Sequence, residues 1–335
     1  MNKSLLWAFT LVGCLCSCSG SQTAEAIRKI EPVAEKNRSS VKVPLFNQDS
    51  AFSYIERQCA FGPRVPNTKA HENCLQYLET EMKRFGASVS LQKADLKAFN
   101  GTVLKSTNVI SSFFPDRNKR VVLFAHWDCR PFSDADKSGV SNIPVMGAND
   151  GASGVAVLME VARNLVAADP GIGVDIVFFD SEDYGAPHDV ESKVQDDWCL
   201  GSQYWSKNTG YTAANKPFVG VLLDMVGASQ PQFCIDAISN YFAPSFATAF
   251  WKQASELGFG GMFLNRVGAQ IIDDHYYVNS LAGIPTFDII DYRAGEGFPE
   301  MWHTQHDDVA HIDKTTLAAV GRVLLRFIYN NCAQR

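Results

Sequence analysis

The sequence predicts one α/β domain, in which helices flank a central twisted sheet of mostly parallel or mixed strands. Strand-like and helix-like segments alternate along the globular part of the chain, and this alternation is typical of a sheet covered by helices. Two of the predicted strands are nearly continuous apolar runs, as expected of strands that are buried on both faces. No internal repeat or low-complexity linker divides the roughly 300 residues that follow the N-terminal segment, so one domain is the simpler prediction.

The predicted elements follow in chain order. The domain begins near residue 50 with a helix, a Gly-Pro-Arg-Val-Pro turn and a second helix, which is capped by Asn67 or Thr68 and ends at Gly86. A polar loop at 183–216 is interpreted as an insertion that leads to a short helix. The sequence pattern predicts strands at 87–94, 107–113, 121–124, 173–179, 219–226 and 285–290, and helices at 151–168, 244–257 and 314–330.

The N-terminus has the features of an export signal. A short positive segment at residues 1–3 precedes an apolar run at 5–12, and small residues precede Cys14 and Cys18. This pattern resembles a bacterial lipoprotein signal, and a plain cleaved signal peptide is the alternative. We expect a signal over residues 1–18 with cleavage before Cys14 or Cys18, a polar tether over 19–47, and the α/β domain over 48–335. The resemblance implies an exported lipoprotein, held by its lipid at the periplasmic face of the inner or outer membrane.

Composition excludes several classes of function. The formal net charge of −6 leaves no basic footprint, so nucleic acid is not expected as a partner. No segment after the signal approaches the ~18 consecutive apolar residues of a second membrane span.

Export permits disulfides, but the later cysteines follow no Cys-x-x-Cys pattern, so buried free thiols are at least as expected as bridges. Nothing indicates an obligate oligomer, and the aromatic segments around Phe250 and Met262 are expected in the core.

Polar side chains follow the ends of the predicted strands, where ligands bind in open α/β sheets. Taken singly, they have ordinary explanations: His126 as a structural residue, Asp150 as a helix N-cap and Asp224 as a turn cap. Taken together, they form a set of carboxylate and imidazole ligands that suits a zinc-type ion. The residues at these strand and loop ends are His126, Asp128, Asp150, Glu182, Asp183, Asp224, Asp273, Asp274, His275 and His303.

Glu182 and Asp183 are neighbours at the end of a predicted strand, where two carboxylates repel each other unless a cation or a proton lies between them. A metal ion would keep Asp183 ionised, while Glu182 would carry a proton to and from a substrate. Adjacent residues at an irregular strand end point in different directions, so one can bind the metal and the other can react. Asp180 is expected to be structural. The histidines without such a pattern are expected on the surface: His71, His188, His306 and His311.

The order of these residues resembles that of the co-catalytic zinc aminopeptidases and of their relatives, the glutaminyl-peptide cyclotransferases. The resemblance covers residues 50 to 330, and three segments are similar to the cyclotransferases: FPEMWHT at 298–304, DDH at 273–275 and FFDSED at 178–183. The chain departs from the family at Asp183, where a second glutamate is common. A shorter ligand there would pull its loop closer to the metal. In the loop 183–198 the family's pocket tryptophan has no certain counterpart, and Trp198 is the candidate.

The resemblance implies a catalytic domain over 48–335 that acts on the N-terminal glutamine of peptides or proteins, forms pyroglutamate and releases ammonia. It implies one zinc ion held by Asp150, Asp183 and His303, with a fourth position open to substrate. Glu182 would be the general acid and base, and Trp302 would pack the pocket wall. Asp224 and Asp273 would form a carboxylate network that holds the amide of the substrate.

Two other functions fit the same residues. In a two-zinc aminopeptidase, His126, Asp150 and Asp224 would hold one ion, and Asp150 would share the second ion with Asp183 and His303. Glu182 would then activate a bridging water, and in either enzyme Asp128 would orient His126. A binding lipoprotein without catalysis is the other alternative. Zinc content separates the three, because a binder needs none, a cyclotransferase one and an aminopeptidase two.

Overall fold

The computed structural model describes residues 42–137, 139, 142–187, 190–293 and 295–333. The predicted signal, most of the predicted tether and His188 lie outside these residues, and so do Cys14 and Cys18. Among the described residues, none of the helices has the length and apolar character that crossing a bilayer requires.

The predicted sheet is confirmed, and it is mixed. In the described part of the chain the strands are β1 (Ser88–Lys97), β2 (Val103–Phe113), β3 (Arg120–His126), β4 (Gly173–Phe179), β5 (Gly220–Asp224), β6 (Phe233–Ile235), β7 (Phe263–Val267) and β8 (Thr286–Ile290). Six of them form one sheet in the order β1-β2-β4-β3-β5-β8. β1 and β2 form an antiparallel hairpin and β2 is antiparallel to β4, whereas β4, β3, β5 and β8 are mutually parallel. β6 and β7 form a separate parallel pair.

Helices pack against this sheet. They are α1 (Gln48–Cys59), α2 (Lys69–Arg84), α3 (Ala152–Ala167), α4 (Leu200–Lys207), α5 (Ala237–Phe242), α6 (Pro244–Glu256), α7 (Asp274–Tyr277) and α8 (Lys314–Arg326). Short π-helical segments follow α7 and α8 at Val278–Ala282 and Phe327–Cys332, and a 3-10 turn covers Val309–His311. α3 is apolar around nearly its whole circumference because it lies between the sheet and the helices α1 and α8.

The parallel register brings the carboxyl ends of the central strands to one edge. His126 at the end of β3 is opposite Phe179 at the end of β4, and Asp224 at the end of β5 is opposite Ile290 of β8. All residues of β3, β4, β5 and β8 are buried, as expected of strands covered on both faces. The segments that follow these strands therefore converge, and they carry the polar residues singled out in the sequence.

One of the two predicted caps of α2 is confirmed, whereas the start of α3 differs from the ordinary explanation. Thr68 is the N-cap of α2 and accepts from the His71 N–H, whereas Asn67 bonds the backbone of Val103 and Lys105 on β2. The N-cap of α3 is Gly151, which has a φ of +94°, so the ordinary explanation of Asp150 as a cap is wrong. The Asp150 carboxylate is thereby free for the site.

Sequence patterns missed several boundaries. β1 extends to Lys97 and β2 begins at Val103, whereas the predicted strands end at 94 and begin at 107. The short elements β6, β7 and α5 were not predicted, since three to six residues carry too little periodic signal. The predicted core position of Phe250 is confirmed, because its side chain is fully buried.

His71 is a buried residue, and its predicted surface position was wrong. Its Nε2 lies 2.9 Å from Asp180 Oδ1, and its ring stacks on Trp127 with centroids 4.2 Å apart. Asp180 also accepts from the Thr107 N–H, so it has the structural role that was expected of it. His306 and His311 are exposed, as predicted. The described cysteines Cys59, Cys74, Cys129, Cys199 and Cys234 are free and buried, and Cys332 is buried as well.

A buried ion pair at the amino ends of β3 and β4 generates a prediction for stability. The Arg120 guanidinium donates to both Asp175 oxygens, at 2.7 and 2.9 Å, and the Tyr211 hydroxyl donates to the same carboxylate. Arg120→Ala leaves the Asp175 carboxylate buried and uncompensated, so we expect the free energy of unfolding to fall by about 3–5 kcal/mol in urea denaturation.

The nearby pair of Arg117 with Asp169 is the control. Its side chains are 33% and 50% exposed, so Arg117→Ala should cost about 1 kcal/mol or less. Equal losses in the two variants would contradict the assignment of Arg120 as the stabilising cation.

Candidate metal and catalytic site

The predicted site residues converge on a cavity of about 310 Å³ at the carboxyl edge of the sheet. Its ionisable wall comprises Asp150, Glu182, Asp183, Asp196, Asp224, Asp273 and His303, and its aromatic wall comprises Trp198, Tyr277, Phe298 and Trp302. His126 and Asp128 are buried behind this wall. A wider groove of about 990 Å³ adjoins the cavity, and Phe298 and Trp302 line both.

Three of the wall residues, Asp150, Asp183 and His303, form a compact buried ligand set. His303 Nε2 lies 3.1 Å from Asp183 Oδ1 and 3.6 Å from Asp150 Oδ2. Ligand atoms bound tetrahedrally to one zinc ion at about 2.0 Å lie roughly 3.3 Å apart, so these distances fit a shared ion. Asp183 Oδ1 is buried and accepts no hydrogen bond from any described residue, so the 3.1 Å approach is a contact without hydrogen-bond alignment. A donor set of two carboxylates and one imidazole therefore fits zinc.

Residues that were not singled out in the sequence hold His303 in place. Its Nδ1 lies 3.2 Å from Asp134 Oδ1, and Arg130 Nε donates to the same Asp134 oxygen at 2.8 Å. A carboxylate on the second ring nitrogen fixes the orientation and tautomer of a metal-binding histidine. Burial opposes the charged imidazole, but the carboxylates of Asp183 and Asp134 outweigh burial and raise the pKa of His303. The sequence offered little signal for Asp134, because Arg-x-x-x-Asp is a common spacing in polar loops.

Both candidate pocket tryptophans lie beside His303. The Trp302 ring is nearly parallel to the imidazole, with centroids 3.7 Å apart, and the Trp198 ring is parallel to it at 6.1 Å. The Arg130 guanidinium lies over the Trp198 ring at 4.5 Å. A Cβ on Gly185 would come within 2.2 Å of Trp198 ring carbons, so a glycine is required there for the tryptophan to reach the cavity.

Asp128 acts mainly on the segment after β4. Its two oxygens accept from the backbone N–H groups of Glu182 and Asp183 at 3.1 and 3.2 Å. Asp128 was also predicted to orient His126. The distance from Asp128 Oδ1 to His126 Nδ1 is 3.5 Å, and this nitrogen has no hydrogen-bond partner among the described residues. Asp128 therefore orients Glu182 and Asp183 more directly than it orients His126.

His126 lies between two carboxylates of the site. Its Nε2 is 3.0 Å from Asp150 Oδ1 and 3.2 Å from Asp224 Oδ1, so the set for a second ion is also compact. Burial opposes the charged imidazole, but the carboxylates of Asp128, Asp150 and Asp224 outweigh burial and raise the pKa of His126 well above its ordinary value. The described geometry thus accommodates one-ion and two-ion arrangements.

Glu182 has the environment of a proton carrier. Burial is the main cause that raises the pKa of its carboxyl well above the ordinary value, and the charge of His126 opposes it. Asp273 is close enough to Glu182 that single oxygens of the two lie within 4.8 Å. Burial, reinforced by Asp224, raises the pKa of Asp273 to about 7. The raised pKa values suit both carboxyls to hold a proton and to pass it on.

Further buried aspartates lie behind Asp273, and Asp236 and Asp288 among them were not predicted as part of the site. Asp288 on β8 is fully buried and neither of its oxygens has a hydrogen-bond partner among the described residues. Burial, and next the charge of Asp273, raise the pKa of Asp288 well above its ordinary value, which favours the protonated form of this carboxyl. His275 Nε2 lies 3.2 Å from Asp236 Oδ1 in the same region. A single aspartate inside an apolar strand was the signal that could have identified Asp288.

The contact between Asp134 and His303 generates a prediction for zinc affinity. Asp134→Asn removes the charge that orients the imidazole, so we expect the dissociation constant for zinc to rise about 10–100-fold, measured by competition with a chelator. Asp308→Asn is the matched control, because Asp308 accepts from the exposed His311 at 2.9 Å. Unchanged zinc affinity in Asp134→Asn would contradict the role of Asp134.

Comparison with known proteins places this geometry in a family. The model of peptidase family M28 matches residues 108–328. The solved glutaminyl cyclase of Bacteroides thetaiotaomicron is 48% identical, with a TM-score of 0.83 over 86% of this chain and 99% of that one. A solved Zn-dependent exopeptidase of Parabacteroides distasonis is also 48% identical, with a TM-score of 0.83 over 86% of this chain and 100% of that one.

A curated relative extends the comparison to animals. The glutaminyl-peptide cyclotransferase of Bos taurus is 25% identical over 256 residues, which cover 66% of this chain and 65% of the relative. The match thus spans just under two thirds of the bovine protein. Since the family model covers more than half of the chain and the solved relatives share its fold over nearly their whole length, this chain belongs to peptidase family M28.

Proposed function

We propose that the protein is a zinc-dependent glutaminyl-peptide cyclotransferase, which converts the N-terminal glutamine of peptides or proteins to pyroglutamate and releases ammonia. The observation that carries the proposal is that Glu182 and the set of Asp150, Asp183 and His303 line one small cavity walled by tryptophans. The similarity to solved bacterial glutaminyl cyclases supports the choice of substrate. The adjoining groove leaves room for the rest of a peptide.

Asp150, Asp183 and His303 would hold the ion. When bound, zinc supplies a Lewis acid that polarises the carbonyl of the glutamine side chain. Glu182 takes a proton from the α-amine as the amine nitrogen bonds to the amide carbon, and it returns a proton to the nitrogen that leaves as ammonia. Asp224 and Asp273 on the cavity wall accept hydrogen bonds from the substrate amide.

The cavity supports the ring closure in a second way. Both reacting groups belong to one residue, so the protein has to fold the glutamine side chain back and keep it there. Trp302 and Trp198 supply flat apolar walls for that purpose, and they reduce the room for water that could hydrolyse the amide instead.

A two-zinc exopeptidase is the second candidate. The observation that favours it is the compact set of His126, Asp150 and Asp224, in which His126 Nε2 lies within 3.2 Å of both carboxylates. In that enzyme Glu182 would activate a water between the two ions. The similarity to a solved Zn-dependent exopeptidase is consistent with this alternative.

Mass spectrometry of a short peptide that begins with glutamine tests the proposal directly. The zinc-loaded full chain should remove one ammonia from the peptide, and Glu182→Gln should lower kcat by at least about 10²-fold, because the proton carrier is lost. The matched control is Glu72→Gln, since Glu72 is an exposed partner of Lys69 on α2 and lines neither the cavity nor the groove. Removal of the whole first residue would sink the cyclotransferase proposal and favour the exopeptidase.

Zinc content separates the two candidates independently. We expect about one zinc per chain, loss of activity with a chelator and recovery when zinc is restored. About two per chain, with one lost in His126→Ala, would support the exopeptidase.

We also propose that the protein is exported, carries lipid on Cys14 or Cys18 and acts at the periplasmic face of a bacterial membrane. The N-terminal pattern supports this proposal, with its positive start, its apolar run and small residues before each cysteine.

Labelling of the full chain in cells with a radioactive fatty acid tests the anchor. We expect label on the wild type and loss of label in either Cys14→Ser or Cys18→Ser, which identifies the modified residue. A wild-type protein that is exported and cleaved without label would favour the plain signal peptide.

A further inference from the structure

Cys199, the residue before α4, contacts Glu182 through both its backbone and its side chain. Its N–H donates to the Glu182 carbonyl at 2.9 Å, and its Sγ donates to Glu182 Oε1 at 3.1 Å. The next N–H along the chain, that of Leu200, donates to the Ser181 carbonyl at 3.1 Å. The loop before α4 therefore holds the segment after β4 on the side opposite Asp128, whose oxygens accept from the N–H groups of the same segment.

The conformation of Cys199 is unusual for a residue at the start of a helix. Its φ of 54° and ψ of 35° are left-handed, which costs a non-glycine residue about 1 kcal/mol. A typical N-cap side chain bonds an N–H of the first helical turn, but the Cys199 side chain makes no capping bond. Its Sγ contacts the Glu182 carboxylate instead, so helix capping does not explain the residue.

The thiol is suited to act as a donor. Cys199 is 1% exposed. Burial, and next the charge of Glu182, raise the pKa of the thiol well above its ordinary value, so it keeps its hydrogen. A glutamate side chain has three rotatable bonds, and a carboxylate without a fixed partner is distributed over several orientations.

We propose that Cys199 is a positioning residue for Glu182, whose thiol holds Oε1 so that the other carboxylate oxygen exchanges the proton with the substrate. The proposal rests on the proposed function in that Glu182 moves a proton, and it holds equally for the exopeptidase alternative. No bond to sulfur forms or breaks, and the thiol hydrogen stays in place throughout the reaction.

A comparison of donor-deleting and donor-keeping variants tests it in the zinc-loaded full chain. Cys199→Ala should lower kcat about tenfold, with KM changed less than about twofold, because binding is kept while the reactive orientation is lost. Cys199→Ser keeps a donor at the same place and should recover kcat to within about threefold of the wild type. Cys74→Ala, which removes a fully buried core thiol, should lower the free energy of unfolding and leave kcat unchanged.

Three results would overturn the proposal: wild-type kcat in Cys199→Ala, a serine variant as slow as the alanine variant, or loss of zinc from both. The last would make Cys199 a metal ligand, for which Glu182, Cys199 and Asp273 are close enough.

Infrared spectroscopy supplies a readout that does not depend on activity. The S–H stretching band of Cys199 is the one that disappears in Cys199→Ser. Its frequency should be lowered in the wild type by the hydrogen bond to Glu182, and it should increase in Glu182→Ala, where that bond is lost. A band that does not move in Glu182→Ala would also overturn the proposal. A wild type that forms no pyroglutamate while this band shifts would instead overturn the proposed function and leave the role of Cys199 standing.

Discussion

Burial of many carboxylates at one edge of the sheet is the constraint on which the rest of this structure depends. A carboxylate removed from water needs a cation, hydrogen-bond donors or its own proton. The site uses all three. Asp150 and Asp183 converge with His303 in a set that fits a metal ion, Asp128 accepts two backbone N–H groups, and the raised pKa of Asp288 favours its protonated form. Whether a carboxylate is compensated by a cation, by hydrogen-bond donors or by its own proton determines whether it can bind metal or carry a proton.

The segment after β4 shows how the backbone separates the roles of two adjacent acids. Asp128 holds the N–H groups of Glu182 and Asp183, while the loop before α4 holds the carbonyls of Ser181 and Glu182. Ser181 has a left-handed φ of 57°, which is uncommon for a serine and is kept because these contacts surround it. With the backbone held from both sides, the Glu182 and Asp183 side chains can face different partners although they are neighbours in the sequence.

Arg130 holds the loop that carries Asp183 from a further direction. The resemblance predicted that a ligand shorter than glutamate would need its loop closer to the metal. Arg130 Nη1 donates to the carbonyls of Asp183 and Gly185 at 3.0 and 3.2 Å, and its Nε donates to Asp134. One buried guanidinium thus links the loop of Asp183 to the carboxylate that contacts His303, so the candidate ligand set depends on residues outside it.

The sequence by itself determined the α/β architecture and the polar residues at the strand ends, because buried strands and strand-terminal acids leave a pattern along the chain. It did not determine the partners of those residues, since Arg130, Asp134 and Cys199 reach the site only when separate loops pack together. It misplaced His71, whose contacts with Asp180 and Trp127 join distant segments. The tertiary structure alone decided which acids lie against a cation, a backbone donor or another acid, because the free energy of a buried charge depends on neighbours in space rather than in sequence.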